Sequence, residues 1–476
     1  MIHYYIDNTI SAGHLLDCAL KRITVSSEGL LPPQHLVIQF THNQYYLPEQ
    51  PSLELLALLS VSKNENGLVH IEGCITIYTP ERLAQLQHLS AESVDTEDIL
   101  YRYCRNESLP WLVLSDPWLL SPIHISKPWG QEIWYTGIEA RGQAGVVTEA
   151  GDLPLPWLLE LMTITIGLEQ SAPPVLLKVL DPLADEVYGD LYFELHQQKQ
   201  EVYVVTHIDK RAWPTGVGAI QLGFAAELRE QYPNDEVFKQ AYLGVVKEYE
   251  SIRSKIDRQL DEIKRDAGVG INEPVTSTLL TKWINELSQL AENKALFSAE
   301  HELRKTMNSF VASHPLVLGD VVAVPKRVPH ALQHGVRVVE FQTPVYERKI
   351  LSFGQKVLTQ SHWDTEEALE LVNLDFSQLQ ASELLVDSSV LRIERIVNFN
   401  DFEVRRVQFE GGYDFHGDTY FILMVLDGQL ILNGSKRALH VHSGVATLIP
   451  PSKVGWTVSS SEPCLFLLAS PKSSPK

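Results

Sequence analysis

The feature that most constrains this chain is a change of hydrophobic period, followed by a change back. From Lys127 to about Asp209 the sequence runs in short β-type segments broken by Gly and Pro: GQEIWYTG, GQAGVVTEAGD, PPVLLKVLD, GDLYFELH and QEVYVVTHID. Short apolar runs between turn formers read as strands of a sandwich or barrel. From about Phe224 to Phe310 apolar residues instead recur at three- and four-residue steps, clearest in VFKQAYLGVVKEYESIRSKIDRQLDEIKRDAG and LLTKWINELSQLAENKALFSAEHELRKTMNSFVA. That period is the signature of helices with one buried stripe. Gly268, Gly270, Asn272 and Pro274 divide the stretch into at least two helical blocks. Strand character returns in LVLGDVVAVPKRVPHAL and VRVVEFQTPV, then in LRIERIVNF, FEVRRVQFE, TYFILMVLDGQLILNG and PCLFLLASP.

The expected fold class is therefore mainly β with an α insertion. One barrel spans 121–222 and 313–385 and is split by helices over 223–312; a second barrel spans 386–476. Residues 1–120 mix β-like runs (HLVIQF, LVHIEGCITIY) with a helical pattern, PSLELLALLSV, and read as an N-terminal α/β domain of unknown role. The closing SSPK reads as frayed. A length of 476 residues accommodates this many units.

Composition narrows the function. Hydrophobic residues are 44% and charged residues 21%, a globular mix. The formal charge of −21 argues against nonspecific binding to nucleic acid or acidic membranes. No apolar run is long enough to cross a bilayer, and MIHYYIDNTISAGHLLDCALKR lacks the basic start and apolar core of a signal peptide. Cys18, Cys74, Cys104 and Cys464 form no CxxC pair, so no disulfide framework or thiolate metal site is written here. The expected setting is cytoplasmic.

The chemistry concentrates in Glu194-Leu195-His196, Glu201 and His330. Residues two apart on a strand share a face, so Glu194 and His196 are expected to point together into the first barrel. A tight turn through Gln197–Gln200 returns the chain, with Glu201 opening the next strand. Gly319 and Pro325 bracket a strand, and His330 begins another after a short turn. Two carboxylates and two imidazoles converging in a barrel suit Zn²⁺ or another divalent first-row metal, such as Fe²⁺. Tyr203 and His207 share the parity of Glu201 and are candidates to line the same barrel.

ExHx₄E followed by Gx₅PxRx₂H resembles the paired cupin motifs. Around it the chain resembles type I phosphomannose isomerase over roughly 127–475. KPWGQEIWY, PPVLLKVLD, LYFELHQQKQEVYVV, GDVVAVPKRVPHAL and VVEFQ are each similar to a family segment, and they occur in the family's order. The resemblance implies two cupin (jelly-roll) barrels and a metal set falling on Glu194, His196, Glu201 and His330. It also implies substrate-facing roles for Lys178, Lys199 and Trp129, and catalytic roles for Lys199, Glu340 and Arg348. The implied activity is aldose–ketose isomerisation of a sugar or sugar phosphate, a small-molecule partner.

Three departures from the family stand out. Glu194 replaces the neutral Gln of the family, adding negative charge that tightens metal binding and weakens Lewis acidity. The loop after His196 is cut to four residues. Arg327 stands where the second motif usually carries Gly. The rival reading is a cupin that binds metal or sugar without turnover, as a carbohydrate-responsive protein; an iron oxygenase fits less well, since two His and two Glu are offered rather than a two-His-one-carboxylate triad. His440-Val441-His442 has ligand-like HxH spacing but no following Glu, and reads as part of a barrel without metal.

Overall fold

The computed structural model describes residues 2–6, 10–25, 30–92, 98–168, 173–376, 381–436 and 438–472; the SSPK tail lies outside them. The chain is mainly β and forms two compact units. One comprises Met1–Ile123, Trp134–Leu177 and Ser382–Lys476, the other His124–Ile133 and Lys178–Ala381. The segment from Trp134 to Leu177, expected in the metal-binding barrel, lies in the first unit. Its strands Gly145–Val146 and Leu153–Pro154 pair with each other, and Gly145–Val146 also pairs with Trp118–Ser121. That strand in turn joins Ala446–Ile449.

In the first unit, strands Ile2–Ile6, Leu31–Asn43, Ser52–Lys63, Val69–Ile77 and Leu112–Val113 form a five-stranded sheet in that order. Its first pair is parallel and is bridged by helix Ala12–Val25, the crossover that parallel strands require. PSLELLALLSV is not helical: Ser52–Lys63 is the central strand of this sheet. Leu55 through Leu59 are all fully buried, so the apolar run reflects a strand covered on both faces, a pattern that periodicity cannot separate from a buried helix. The C-terminal strands, from Glu383–Asp387 to Trp456–Pro471, join Trp118–Ser121, Gly145–Val146 and Leu153–Pro154 in an eleven-stranded sheet. This sheet encloses its own core of Phe409, Phe421, Leu423, Val441, Phe466 and their neighbours. Val441 is buried, whereas His440 and His442 on the same strand are exposed.

The second unit is built from two sheets. One runs Val321–Val324, Glu201–Ile208, Val336–Gln342, Leu176–Pro182, Gly130–Trp134, Ile123–Lys127. The other runs Val311–Leu316, Gly218–Phe224, His330–Leu332, Phe193–Leu195, Lys349–Ser352. Leu180, Tyr203, Val205 and Val338 of the first share a core with Ile220, Leu222, Leu332 and Ile350 of the second, so the sheets face each other. The opposite face of the five-stranded sheet carries Phe193, Leu195, Phe224, Ala331 and Leu351. These pack on Phe238, Tyr242, Val246 and Tyr249 of helix Asp235–Asp266. Asn234 caps that helix by accepting from the Val237 amide at 3.0 Å. The helical block enters and leaves through neighbouring strands, because Gly218–Phe224 pairs antiparallel with Val311–Leu316. Among the described residues no helix is long and apolar enough to cross a membrane.

Candidate metal centre

Strand parity fills the space between the two sheets. Along Glu201–Ile208 the inward positions are Glu201, Tyr203 and Val205; on the neighbouring strand they are Gln342, Glu340 and Val338, in register. Side chains thus pass from apolar to polar toward one end. Glu194 sits opposite His330 across the second sheet. Phe193 and Leu195 face the helices, so alternation turns Glu194 and His196 the other way, inward.

Backbone carbonyls orient both imidazoles. His196 donates from Nδ1 to the Glu347 carbonyl at 3.0 Å, and His330 from Nδ1 to the Val328 carbonyl at 3.2 Å. A neutral ring held this way presents a lone pair at Nε2. The His330 Nε2 lies 3.1 Å from Glu201 Oε2. The His196 Nε2 lies 3.4 Å from Glu201 Oε1 and 3.6 Å from Glu194 Oε1. Lone pairs turned on carboxylate oxygens repel unless a proton or cation lies between them. One ligand atom each from Glu194, His196 and His330 falls within a 4.8 Å group, and the His196 Nε2 and Glu194 Oε2 are buried without a hydrogen-bond partner. The donor set therefore fits a divalent first-row cation.

Burial, and then the Lys199 charge, hold the His196 imidazole well below its usual range, leaving the neutral form that a metal requires. Glu201 is the fourth expected ligand and touches both imidazoles, but it also accepts from Tyr203 Oη at 2.7 Å and lies 2.7 Å from Lys199 Nζ. Burial would raise its carboxyl; the Lys199 ammonium and the two histidines outweigh that, and it falls far below the ordinary value.

Beside this cluster runs an alternating line of charge. Lys127 Nζ is 3.1 Å from Glu132 Oε1, Lys178 Nζ 4.0 Å from the same atom, and Lys178 Nζ 3.2 Å from Glu340 Oε2. Burial lowers the Lys178 ammonium, but Glu132 and Glu340 overcome it and the net shift is upward. For Glu340, fully buried, desolvation and then the Glu201 charge raise the carboxyl well above its ordinary value. The Gln342 Oε1 and Trp129 Nε1 are also buried without hydrogen-bond partners. Trp129 packs with Tyr192 and Tyr203 in the barrel core. Arg348 lies over the Tyr192 ring at 4.7 Å, 3.9 Å from Glu194 Oε2, and donates to Thr359.

Every residue expected at the site thus lies in the second unit, around the inner faces of its two sheets. His207 is the exception among the lining candidates: a β-bulge between Val205 and His207 turns it out to solvent and Ile208 in. Strand parity two residues on from Glu340 finds Gln342, but Lys127, Glu132 and Glu347 carry no such signal. Glu347 does double duty. Its carbonyl holds His196, while its Oε1 accepts the amides of Gln198 and Lys199 at 2.6 and 3.2 Å, fixing the four-residue turn.

Arg327, in the place of the usual Gly, adopts φ +65°. Its amide donates to the His196 carbonyl at 2.6 Å, and its carbonyl accepts from Asn373 at 2.8 Å, while its side chain is exposed. The turn keeps the glycine-like conformation at a strain cost. Arg327→Gly retains both backbone bonds and is expected to raise the unfolding free energy by about 0.5–1 kcal/mol. Denaturant midpoints measure this, and a lowered midpoint would show that the arginine side chain has a role of its own.

No family model matches the sequence, and no curated protein matches it. Solved structures do match. The chain is mainly β, and its fold is shared by a set of solved structures. Its solved counterparts are phosphomannose isomerases. The Bacillus subtilis mannose 6-phosphate isomerase superposes with a TM-score of 0.51 at 15% identity, covering 75% of this chain and 99% of that one. Two single-residue variants of the Salmonella typhimurium phosphomannose isomerase superpose with TM-scores of 0.50 at 13% identity, covering 75% of this chain and 100% of theirs. The resemblance drawn from short motifs is thus a resemblance of fold over 75% of the chain, at low identity.

Proposed function

We propose that this protein is a metal-dependent aldose–ketose isomerase, interconverting a phosphorylated or free mannose-like aldose and its ketose in the cytoplasm. In this reading an N-terminal α/β domain precedes a catalytic cupin barrel split by helices, and a second barrel carries no metal. One observation carries the reading: two carbonyl-anchored imidazoles turn their Nε2 atoms toward Glu194 and Glu201, next to the buried Lys178–Glu340 pair.

Glu194, His196, Glu201 and His330 would hold the cation, Zn²⁺ or another first-row metal. When bound, it polarises a sugar carbonyl and stabilises the charge that develops in an enediol(ate). The chain supplies the rest. Glu340, whose carboxyl is held well above its ordinary range by burial and then by the Glu201 charge, is suited to exchange a proton with the substrate. Lys178 stays charged 3.2 Å away and limits the cost of ionising that acid. Arg348, partly exposed and braced on Tyr192, suits the anionic end of a sugar phosphate. Lys199 is engaged by Glu201, so it tempers the negative charge of the ligand set more directly than it meets substrate. Trp129 offers an apolar wall and an unpaired indole N–H.

That engagement of Lys199 favours the second reading, a cupin that binds sugar without turnover. Incubation of zinc-loaded protein with mannose 6-phosphate, fructose 6-phosphate and the free sugars in deuterated water separates the two. Isomerisation is expected to form product and place deuterium at C2. Binding without exchange or product would establish the second reading instead.

A further inference from the structure

The first unit contains a cavity of about 790 Å³ that the proposed isomerase chemistry does not use. It is walled by strand Val69–Ile77, helix Ile99–Asn106, the Trp111 segment, the loop Val147–Ala150 and residues Gly434–Lys436. We propose that this cavity binds a neutral mono- or oligosaccharide.

Charge excludes the alternatives. Glu72 Oε2 accepts from Trp111 Nε1 at 3.3 Å and from Lys436 Nζ at 2.5 Å. Asp116 Oδ2 accepts from the Ser435 amide and hydroxyl at 2.7 and 3.0 Å. Asp98 caps the helix through the amides of Leu100 and Tyr101. Glu149, the fourth acid of the wall, is exposed to water, and the other three carboxylates are each hydrogen-bonded, which leaves no concentrated negative charge for a metal cation. Their presence in the wall opposes an anion as well.

What remains suits an uncharged polyol. Tyr101 and Trp111 meet edge to face at 5.5 Å, and the Arg105 guanidinium lies 5.9 Å from the Tyr101 centroid. Both rings are only partly buried. Aromatic rings take the C–H faces of a pyranose, while planar carboxylate and guanidinium groups at the rim exchange hydrogen bonds with its hydroxyls. The volume lies within the range of small-molecule sites and exceeds what one hexose fills. The indole already donates to Glu72, which fixes its plane without a ligand.

The site is tested on full-length protein with methyl α-mannoside, maltose and cellobiose, using saturation-transfer NMR and tryptophan fluorescence. At least one probe is expected to bind wild type and His330→Ala alike, and to lose about tenfold or more in affinity in Trp111→Ala. Val147→Trp, a cavity-filling change at a residue 38% exposed, is expected to give the same loss with the strands intact. If Trp111→Ala misfolds, Val147→Trp decides. The proposal is overturned if no probe binds, if Val147→Trp binds as wild type, or if binding disappears in His330→Ala. That last outcome places the sugar in the metal-bearing barrel, so failure here and failure of the isomerase reading give different results.

Discussion

His330→Ala, purified beside wild type and dialysed against a fixed free-zinc concentration, is expected to bind zinc at least a hundredfold more weakly. Loss of a single residue that merely orients a ligand typically costs about 10–100-fold, and His330 supplies a donor atom itself. Its Nδ1 is engaged by the Val328 carbonyl, so the Nε2 turned toward Glu201 is the atom at stake. Glu347→Ala makes the contrast. It leaves the carbonyl that holds His196 but removes the carboxylate that accepts the Gln198 and Lys199 amides. A drop of about tenfold is expected there, from a loosened turn rather than a lost ligand. Zinc titration against a chelating dye measures both. Equal affinity in His330→Ala and wild type would remove the metal centre from the account.

The second large effect concerns stability. Lys178→Met is expected to cost about 3–5 kcal/mol at neutral pH, because it leaves the Glu340 and Glu132 carboxylates facing each other across a dry interior. The sign of the pH dependence follows from Glu340. Its folded-state pKa is raised above its ordinary value of 4.5, by burial and then by Glu201. The stability it contributes is therefore complete below 4.5 and is lost as pH rises through the folded value. Removing the cation that partly offsets this raises the folded value further. The deficit of Lys178→Met relative to wild type should therefore be smallest below the wild-type folded value of Glu340 and widen as pH rises through it. Glu201 has the opposite, depressed shift, but it is present in both proteins and largely cancels in the difference. Adding Glu340→Gln should recover much of the loss. Denaturant unfolding of metal-free protein across this pH range checks each point; a deficit independent of pH would mean that Lys178 does not act through the ionisation of Glu340.

The inward placement of Glu194, His196 and Glu201 was legible because strand arithmetic is local. ExH on a strand, a four-residue turn and a Glu opening the next strand fix three inward positions without knowledge of the rest of the chain. His330 was legible because the Gly319 and Pro325 punctuation sets its place at a strand start. Other features were not. His207 follows the same parity rule as Tyr203, yet Thr206, an extra residue in the same strand with no partner opposite, turns it outward. Glu347 reaches its partners across about 150 residues of sequence, and nothing near it in the chain announces that role. PSLELLALLSV has an apolar content compatible with two buried states, and only the strands pairing on either side select one. The Lys127–Glu132–Lys178–Glu340 line reads from sequence as scattered charges. It becomes a network because four strands of one sheet lie side by side.

The strand Phe193–Leu195 has a further consequence. One of its faces presents Glu194 to the barrel interior, while Phe193 and Leu195 on the other are gripped by helix Asp235–Asp266. The inserted helices thus act as a splint on the strand that carries Glu194, one of the proposed ligands. In the proposed metal centre, thermodynamic reciprocity makes a cation that binds Glu194 also resist detachment of those helices. Slower amide exchange along Asp235–Asp266 would then report, from the far side of the sheet, that the centre is filled.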